Sequence, residues 1–319
     1  MKVFSNLYII CMYSYQSKSD VIMLQEFWFD ESFTTIFDEA TKHLFHRIAE
    51  RRPSGIKGQM RDDGMCCLVR KDGKLELIKS QQVLTGPQRI SQLIHCRERV
   101  ADGIGRDVHF ANSHLSFPGD PDPVLNEERQ ANEARIILEA LSEAANASNN
   151  DHESLQIICG DFNSNSCGLA ASLLESPPYN FINCASATAQ QMLSSIGGPV
   201  NIGVTHCNHL GEKVSVDHIF LRLSKSRRSL DGLQMTPNAD RCAALAMGYL
   251  DDRGSRILNV HKEDIVIEGR QVLSDHRPVT ANIHWPRIST LTNETLKADL
   301  YINVTMPLDP LEPAWGIVQ

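Results

Sequence analysis

Four consecutive β-strand patterns, with no helix pattern between them, are the feature that most constrains the fold of this chain. They cover residues 65–69, 75–84, 89–95 and 108–115. Rossmann folds and TIM barrels alternate strands and helices regularly, so this order favours a sandwich of two mixed β-sheets with outer helices over either of them. Asp72-Gly73, between the first two patterns, predicts a β-hairpin turn.

The other segments predict further strands and two helices. Continuous apolar runs at 21–24 and 155–159 predict strands buried on both faces, and 216–223 and 279–285 predict two more strands. Residues 32–46 predict a helix, and Asn126 is predicted to cap a second helix after the proline-rich loop 118–123. Residues 224–254 are polar and predict a surface excursion, whereas the segment after Pro286 shows little patterning.

Composition limits the environment and the partners of the protein. The 319 residues are 42% hydrophobic, enough for a core, and the formal net charge of −8 disfavours nucleic-acid binding through many basic contacts. No apolar stretch reaches the roughly 20 residues of a membrane-spanning helix, so no stable membrane insertion is expected. The nine cysteines are scattered without a C-x-x-C pair, which favours an intracellular location, in the cytoplasm or nucleus, over secretion.

Polar side chains stand at the ends of several predicted strands. A rigid sheet can hold such groups at an edge that is open to a substrate. Taken singly, each has an ordinary structural interpretation, such as a solvated strand end, a hydrogen-bonded histidine or a turn. Taken together and in this order they indicate a catalytic site. The candidates are Glu26, His114, Asp161, Asn163, Asp217, Asp275 and His276.

The segments that contain these candidates resemble the endonuclease/exonuclease/phosphatase superfamily, which has the DNase I-like fold. Arg129-Gln130 is also similar to the start of the family helix that precedes the Gly-Asp-x-Asn strand. The resemblance covers roughly residues 20 to 285. It implies a four-layer α/β sandwich of two mixed β-sheets flanked by helices. The five segments are Val21-Ile22-Met23-Leu24-Gln25-Glu26, Asn112-Ser113-His114-Leu115, Gly160-Asp161-Phe162-Asn163-Ser164, Val216-Asp217-His218-Ile219-Phe220 and Ser274-Asp275-His276-Arg277-Pro278-Val279.

The resemblance implies a role for each candidate in the hydrolysis of a phosphate ester. Glu26 and Asp275 would hold Mg²⁺, with Mn²⁺ as an alternative ion. Asp161 would orient or deprotonate the attacking water, and Asn163 would help to hold the water and the phosphate.

The two histidines would act on the phosphate itself. His114 would be a second phosphate-facing donor. His276 would donate to the developing charge or act as the base, with Asp217 orienting its ring. This chemistry is metal-assisted in-line attack of water without a covalent intermediate.

Two branches of the superfamily are the most similar to the chain. Asp63-Gly64 before an apolar strand, and then Arg89-Ile90-Ser91-Gln92, resemble plant members described as calcium-binding and the carbon catabolite repressor and nocturnin deadenylases. The chain has no EF-hand loop, so calcium binding is not implied. The similarity implies a Mg²⁺-dependent phosphoesterase for phosphodiester bonds, an RNA exonuclease or a nucleotide phosphatase. A neutral sphingomyelinase-like phospholipid phosphodiesterase is the alternative, and no protein partner is indicated.

The N-terminus departs from the family pattern. The first strand of the family normally ends in an Asn that helps to hold the metal and the phosphate, and a helix separates it from the Gln-Glu strand. Only 25 residues precede Glu26, and Asn6 is the sole nearby candidate. We therefore assign 1–15 to an atypical or truncated N-terminus, 16–287 to the catalytic domain and 288–319 to a C-terminal tail of unknown role. The missing Asn leaves a catalytically impaired binding module as a second alternative.

Overall fold

Two large β-sheets form the centre of the computed structural model. The residues that it describes are 19–53, 62–100, 105–147, 154–184, 205–207, 213–223, 243–250, 256–257, 266–267, 271–272, 279–285 and 300–306. Within these ranges the first sheet has seven strands, which are β1 (Val21–Trp28), β2 (Phe45–Arg51), β3 (Asp63–Arg70), β12 (Ala243–Leu250), β13 (Arg256–Ile257), β16 (Val279–Trp285) and β17 (Leu300–Met306). Their order across the sheet is β13-β12-β16-β17-β1-β3-β2. β1 is parallel to β17 and antiparallel to β3.

The second large sheet holds most of the predicted site. In the described residues its six strands are β4 (Leu75–Gly86), β5 (Arg89–Glu98), β6 (Asp107–His114), β7 (Leu155–Asp161), β8 (Ile182–Asn183) and β11 (Asp217–Leu223). The order is β4-β5-β6-β7-β11-β8. β6 and β7 are parallel, and β11 is antiparallel to β7. Two short ribbons pair β9 (His206–Cys207) with β10 (Lys213–Val214) and β14 (Val266–Ile267) with β15 (Gln271–Val272).

Helices cover the outer face of each large sheet and complete four layers. The helices in the described ranges are α1 (Glu31–Thr41), α2 (Pro123–Ala147) and α3 (Leu169–Glu175). Phe33 and Phe37 of α1 pack on the outer face of the first sheet, and Leu138 and Leu141 of α2 pack on that of the second. A third core lies between the sheets and includes Phe110. The predicted four-layer α/β sandwich of two mixed β-sheets is therefore confirmed.

The helix predicted over residues 32–46 is shorter, and a strand follows it. α1 ends at Thr41, and Phe45–Arg51 pairs with β3 as an antiparallel strand. The side chain of Phe45 is buried with the aromatic residues of α1. The tertiary pairing with β3 overrides the local helical pattern, because burial and the ladder hydrogen bonds outweigh small differences in helix propensity.

The Asp72-Gly73 turn does not form the predicted hairpin. The N–H of Gly73 donates to the carbonyl of Arg70 at 3.3 Å, so the chain does turn there. However, β3 belongs to the seven-stranded sheet and β4 to the six-stranded sheet. The turn therefore carries the chain from one sheet to the other, and β4 pairs with β5 instead. Local turn chemistry predicts a change of direction but does not specify the pairing partner.

α2 begins three residues before the predicted cap at Asn126. Pro123 is its first residue, a position where the missing N–H of proline costs nothing. Asp122 acts as the cap, since its Oδ1 accepts the N–H of Val124 at 2.9 Å. Asn126 instead ties the preceding loop, because its Nδ2 donates to the carbonyl of Asp120 at 2.7 Å.

Besides β2 and the two-residue strands, two longer strands lie in segments for which no strand was predicted. β12 falls within the predicted surface excursion 224–254, and β17 falls within the predicted tail 288–319. β17 is an interior strand between β16 and β1, so the domain boundary predicted at residue 287 excludes a strand that the sheet contains. Residues 1–15, with Asn6, lie outside the described residues. No helix in the described ranges is long and apolar enough to cross a membrane.

Candidate active site

The side chains of three predicted site residues meet at one edge of the six-stranded sheet. Side chains alternate between the faces of a strand, so His114, Asp161 and Asp217 share the inner face with the apolar residues between the sheets. His114 is the register partner of Asp161 across the parallel β6–β7 pair, and Asp217 is its partner across the β7–β11 pair. Strand alternation and register thus place three polar side chains side by side.

A β-bulge in the facing sheet directs Glu26 to the same place. The register between β1 and β3 shifts between Leu24 and Phe27, and both of these side chains lie on the outer face. Glu26 is the extra residue, with a φ of 49° that a non-glycine residue rarely adopts. Backbone strain of this kind costs about 1–3 kcal/mol and concentrates at functional sites.

The ring of His114 lies between two carboxylates. Its Nε2 is 3.5 Å from Oδ2 of Asp161, and its Nδ1 is 4.0 Å from Oε1 of Glu26. The side chains of His114 and Asp161 are 6% and 4% exposed, whereas that of Glu26 is 28% exposed. Glu26 is therefore the carboxylate of this group that a solvated ligand reaches most directly.

The Gly160-Asp161-Phe162-Asn163 turn follows from close packing against β6. A Cβ on Gly160, which has a φ of 145°, would collide with the backbone carbonyl of Ser113, so only glycine fits. Asn163 has a φ of 50°, and its N–H donates to Oδ1 of Asp161 at 2.7 Å. Its Nδ2 donates to the carbonyl of Leu115 at 2.9 Å. The turn thereby fixes the Asp161 carboxylate with one oxygen toward Asn163 and the other toward His114.

Asn112 joins the two sheets directly beneath the site. Its Nδ2 donates to the carbonyls of Leu24 at 3.1 Å and Cys66 at 3.3 Å, and to Oε1 of Gln92 at 3.2 Å. Its Oδ1 accepts from Nε2 of Gln25 at 2.6 Å. All of these groups are buried, so the bonds form where water cannot replace them. This amide holds β1, which carries Glu26, against the strands that carry His114 and Asp161.

Asp217 and the adjacent His218 lie on opposite faces of β11. The backbone N–H of Asp217 donates to Oγ1 of Thr205 at 3.1 Å, which holds the start of the strand. The ring of His218 packs edge-on against Phe162, and its Nε2 lies 2.9 Å from the carbonyl of Ser164. Burial lowers the pKa of His218, so this histidine is a neutral packing residue on the helical side.

α2 supports the same edge from the outside. Nε2 of Gln130 donates to the carbonyl of Ser116 at 2.8 Å and to that of Asn163 at 3.1 Å. The carboxylate of Glu133 accepts the N–H of Ser116 at 2.7 Å. The helix therefore ties together the two loops that follow β6 and β7.

Arg52, directly after β2, is a site residue that the sequence analysis missed. Its side chain is 1% exposed, with Nη2 2.7 Å from Nδ1 of His114 and Nε 3.1 Å from Oδ2 of Asp63. Its position at the end of a strand matches that of the other candidates. The segment was hidden because the predicted helix ended at residue 46 and no strand was predicted after it.

The described residues do not include Asp275 and His276. Both stay predictions, as do the individual roles assigned from the resemblance. Among the residues that the structure describes, no group of three or more His, Cys, Asp or Glu side chains is arranged to hold a metal ion. Mg²⁺ needs only one or two protein carboxylates because it keeps several waters, and the partly exposed carboxylate of Glu26 fits that requirement.

The described cysteines near the core do not supply a nucleophile. Burial raises the pKa of Cys96 and of Cys159 to about 12, so both thiols stay protonated at neutral pH. Cys66 and Cys67 are fully buried, and burial raises the pKa of each thiol. The ionisable side chains that the described structure brings together at this edge are therefore carboxylates and an imidazole, not thiols.

Comparison with known proteins identifies the fold. No protein-family model and no curated protein matches the chain. The endonuclease/exonuclease/phosphatase from Bacteroides vulgatus matches with a TM-score of 0.55 and 13% identity, over 86% of this chain and 88% of that one. The human nocturnin catalytic domain with bound sulfate matches with a TM-score of 0.50 and 14% identity, over 68% and 74%.

A third solved structure is ANGEL2, a 2',3'-cyclic phosphatase in complex with adenosine-2',3'-vanadate. It matches with a TM-score of 0.50 and 15% identity, over 68% of this chain and 76% of that one. The two sheets and the helices outside them agree with the four-layer sandwich expected from the sequence. The chain has the fold of these endonuclease/exonuclease/phosphatase structures, which is the DNase I-like fold.

Proposed function

We propose that this protein is a Mg²⁺-dependent phosphoesterase that hydrolyses phosphodiester bonds by in-line attack of water. The observation that carries the proposal is the convergence of Glu26, His114 and Asp161, which come from three strands of two sheets. Both sheets present these groups at one edge, with strained backbone at Glu26 and at Asn163. A purely structural edge has no need for two carboxylates and an imidazole so close together.

Asp161 is the proposed residue that orients or deprotonates the attacking water. The N–H of Asn163 holds its Oδ1 at 2.7 Å, which fixes the direction of the carboxylate before a substrate binds. Proton transfer to a positioned carboxylate contributes about 10²–10⁴-fold to a rate. His276 completes the proposal as the group that donates a hydrogen bond to the phosphoryl oxygen, with Asp217 orienting its ring.

Glu26 and Asp275 are the proposed Mg²⁺ ligands. Glu26 offers a carboxylate that is partly exposed and directed to the site by the bulge. A bound Mg²⁺ would stabilise the negative charge that develops on the phosphate oxygens. His114 lies 4.0 Å from Glu26, so its ring limits where that carboxylate can turn.

RNA or a nucleotide is the proposed substrate class. Support comes from the nocturnin and ANGEL2 structures, the second of which holds an adenosine derivative. The net charge of −8 favours a short substrate that a few groups and a metal can hold over a long polyanion. We also propose an intracellular location, which the free, buried thiols of Cys66, Cys67, Cys96 and Cys159 support.

The first experiment compares Asp161→Asn with Asp72→Asn. Each change replaces a carboxylate by an amide of the same shape, but Asp72 lies in an exposed turn. Hydrolysis of oligo(A), single-stranded DNA, a nucleotide and sphingomyelin is measured with Mg²⁺ present. We expect activity on RNA or the nucleotide, about a 10³-fold loss for Asp161→Asn and no loss for Asp72→Asn. Activity on sphingomyelin alone would overturn the substrate class, and full activity of Asp161→Asn would overturn the mechanism.

The second experiment tests the metal without using activity. Titration calorimetry measures Mg²⁺ binding to the parent protein, to Glu26→Gln and to Glu128→Gln, whose carboxylate is exposed on α2. We expect binding to weaken at least tenfold in Glu26→Gln and to stay the same in Glu128→Gln. A parent protein that binds no Mg²⁺ and hydrolyses none of the substrates would favour the impaired binding module.

A further inference from the structure

Four buried side chains, each in contact with the next, form a row that runs through the site from one sheet to the other. Asp63 at the start of β3 contacts Arg52, Arg52 contacts His114, and His114 lies next to Asp161. Each of the four residues is at most 6% exposed. This row therefore connects Asp161, the carboxylate proposed to orient or deprotonate the attacking water, to the guanidinium of Arg52, which no sequence motif indicated.

The hydrogen bond between Arg52 and His114 determines which ring nitrogen carries the proton. A guanidinium has only donors, so Nη2 of Arg52 must donate to Nδ1 of His114, 2.7 Å away. A nitrogen that accepts a hydrogen bond cannot carry a proton. The proton of the neutral ring is therefore assigned to Nε2, which lies 3.5 Å from Oδ2 of Asp161.

We propose that Arg52 is a positioning residue, which holds His114 in the Nε2–H form so that its N–H faces the Asp161 carboxylate. Asn163 and His114 then contact the two oxygens of Asp161 from different sides, and the carboxylate has one orientation. The expected effect of Arg52 on the rate of hydrolysis rests on the proposed function, whereas the position of the proton on the His114 ring does not.

The geometry explains why an arginine stands here. Its planar fork reaches Asp63 through Nε at 3.1 Å and His114 through Nη2, two partners that a lysine ammonium cannot hold in the same fixed directions. Arg51, the preceding residue, provides the contrast. Its side chain is 37% exposed and pairs with Asp62 outside the site.

Nitrogen-15 NMR of the 319-residue protein with labelled histidine tests the proposal directly. The two ring nitrogens have different chemical shifts, so the spectrum identifies the one that carries the proton, and loss of a signal in His114→Gln assigns the ring. We expect a single Nε2–H form in the parent protein and in Arg51→Met. We expect a mixture of the two forms in Arg52→Met and partial recovery of the parent form in Arg52→Lys.

Two further measurements separate positioning from folding and from the proposed function. Arg52→Met leaves the buried Asp63 without its cation, so the double variant Arg52→Met/Asp63→Asn is prepared as well. On an active protein, we expect kcat to fall roughly 10- to 100-fold in the Arg52→Met variants with KM little changed. An Nδ1–H form in the parent protein would overturn the proposal without any Arg52 variant. An unchanged ring signal in a folded Arg52→Met variant would also overturn it, whereas an inactive parent with the expected ring signals would overturn only the proposed function.

Discussion

Replacement of Asn112 by alanine should destabilise the whole sandwich, because this amide is the buried connection between the two sheets. Its side chain bonds to Gln25, to Gln92 and to the carbonyls of Leu24 and Cys66. Asn112 is 0% exposed, and Gln25 and Gln92 are 2% and 1% exposed. Water therefore cannot replace the lost partners without opening the space between the sheets.

The expected cost follows from the number of bonds. A hydrogen bond contributes about 1 kcal/mol net, and a buried partner that loses its bond costs about as much again or more. At about 1 kcal/mol each, the four bonds, three of which share Nδ2 as the donor, give a loss of at least about 4 kcal/mol in the free energy of unfolding. For a chain of 319 residues this lowers Tm by at least about 6 °C.

Denaturant unfolding followed by circular dichroism measures this loss, with Asn132→Ala as the matched control. Asn132 is exposed on α2, where its Oδ1 accepts a hydrogen bond from the exposed side chain of Arg135. We expect the control to change the free energy of unfolding by at most about 0.5 kcal/mol. An Asn112→Ala protein within 1 kcal/mol of its parent, on the scale of about 1 kcal/mol per bond, would refute the reasoning.

Three other changes test separate parts of the structure. Gly160→Ala should lower the free energy of unfolding by at least about 3 kcal/mol, because its Cβ would collide with the neighbouring backbone. Gly119→Ala, whose Cβ would meet nothing closer than 4.0 Å, should fold normally, and thermal unfolding measures both variants. Burial, and then the neighbouring His95, lower the pKa of His109 to about 4 from 6.5, so the unfolded chain binds this proton first as the pH falls. The contribution of neutral His109 to stability is complete above pH 6.5 and is lost between pH 6.5 and 4. The free energy of unfolding, measured above pH 6.5 and at pH 4, should therefore fall less in His109→Phe than in the parent or in His43→Gln. A chain that ends at residue 299 lacks β17 and should not unfold cooperatively, whereas one that ends at residue 306 should; equal folding of the two would show that the C-terminal strand is dispensable.

The two sheets and the grouping of polar residues at the strand ends could be predicted because short-range patterns encode them. Continuous apolar runs such as Val21-Ile22-Met23-Leu24 indicate strands buried on both faces, and the alternation of side chains then places His114, Asp161 and Asp217 on a common face. The polar residues at the ends of these strands contrast with the apolar runs before them. Both signals are local, so they are readable without any knowledge of the tertiary structure.

Pairing between distant strands was not predictable from such signals. Asp72-Gly73 indicated a turn but not that the chain leaves one sheet for the other, and residues 300–306 were not recognised as an interior strand. The last two residues of the helix predicted over 32–46 lie in a strand, because β3 offers a partner for Phe45 and its neighbours. A hydrogen-bond ladder depends on which backbone lies alongside, and that backbone can be hundreds of residues away.

Strand periodicity and turn chemistry act over a few residues, so local patterns were enough to predict the layered α/β class and most of the polar groups at the strand ends. Which carboxylate and which ring face each other depends on how the strands pair and the sheets pack. The bulge that turns Glu26 forms between two paired strands of the first sheet, and the collision that demands Gly160 forms between two paired strands of the second. The contact of Arg52 with His114 joins the two sheets. Such contacts join residues far apart in the chain, and their geometry exists only after the strands have paired and the sheets have packed.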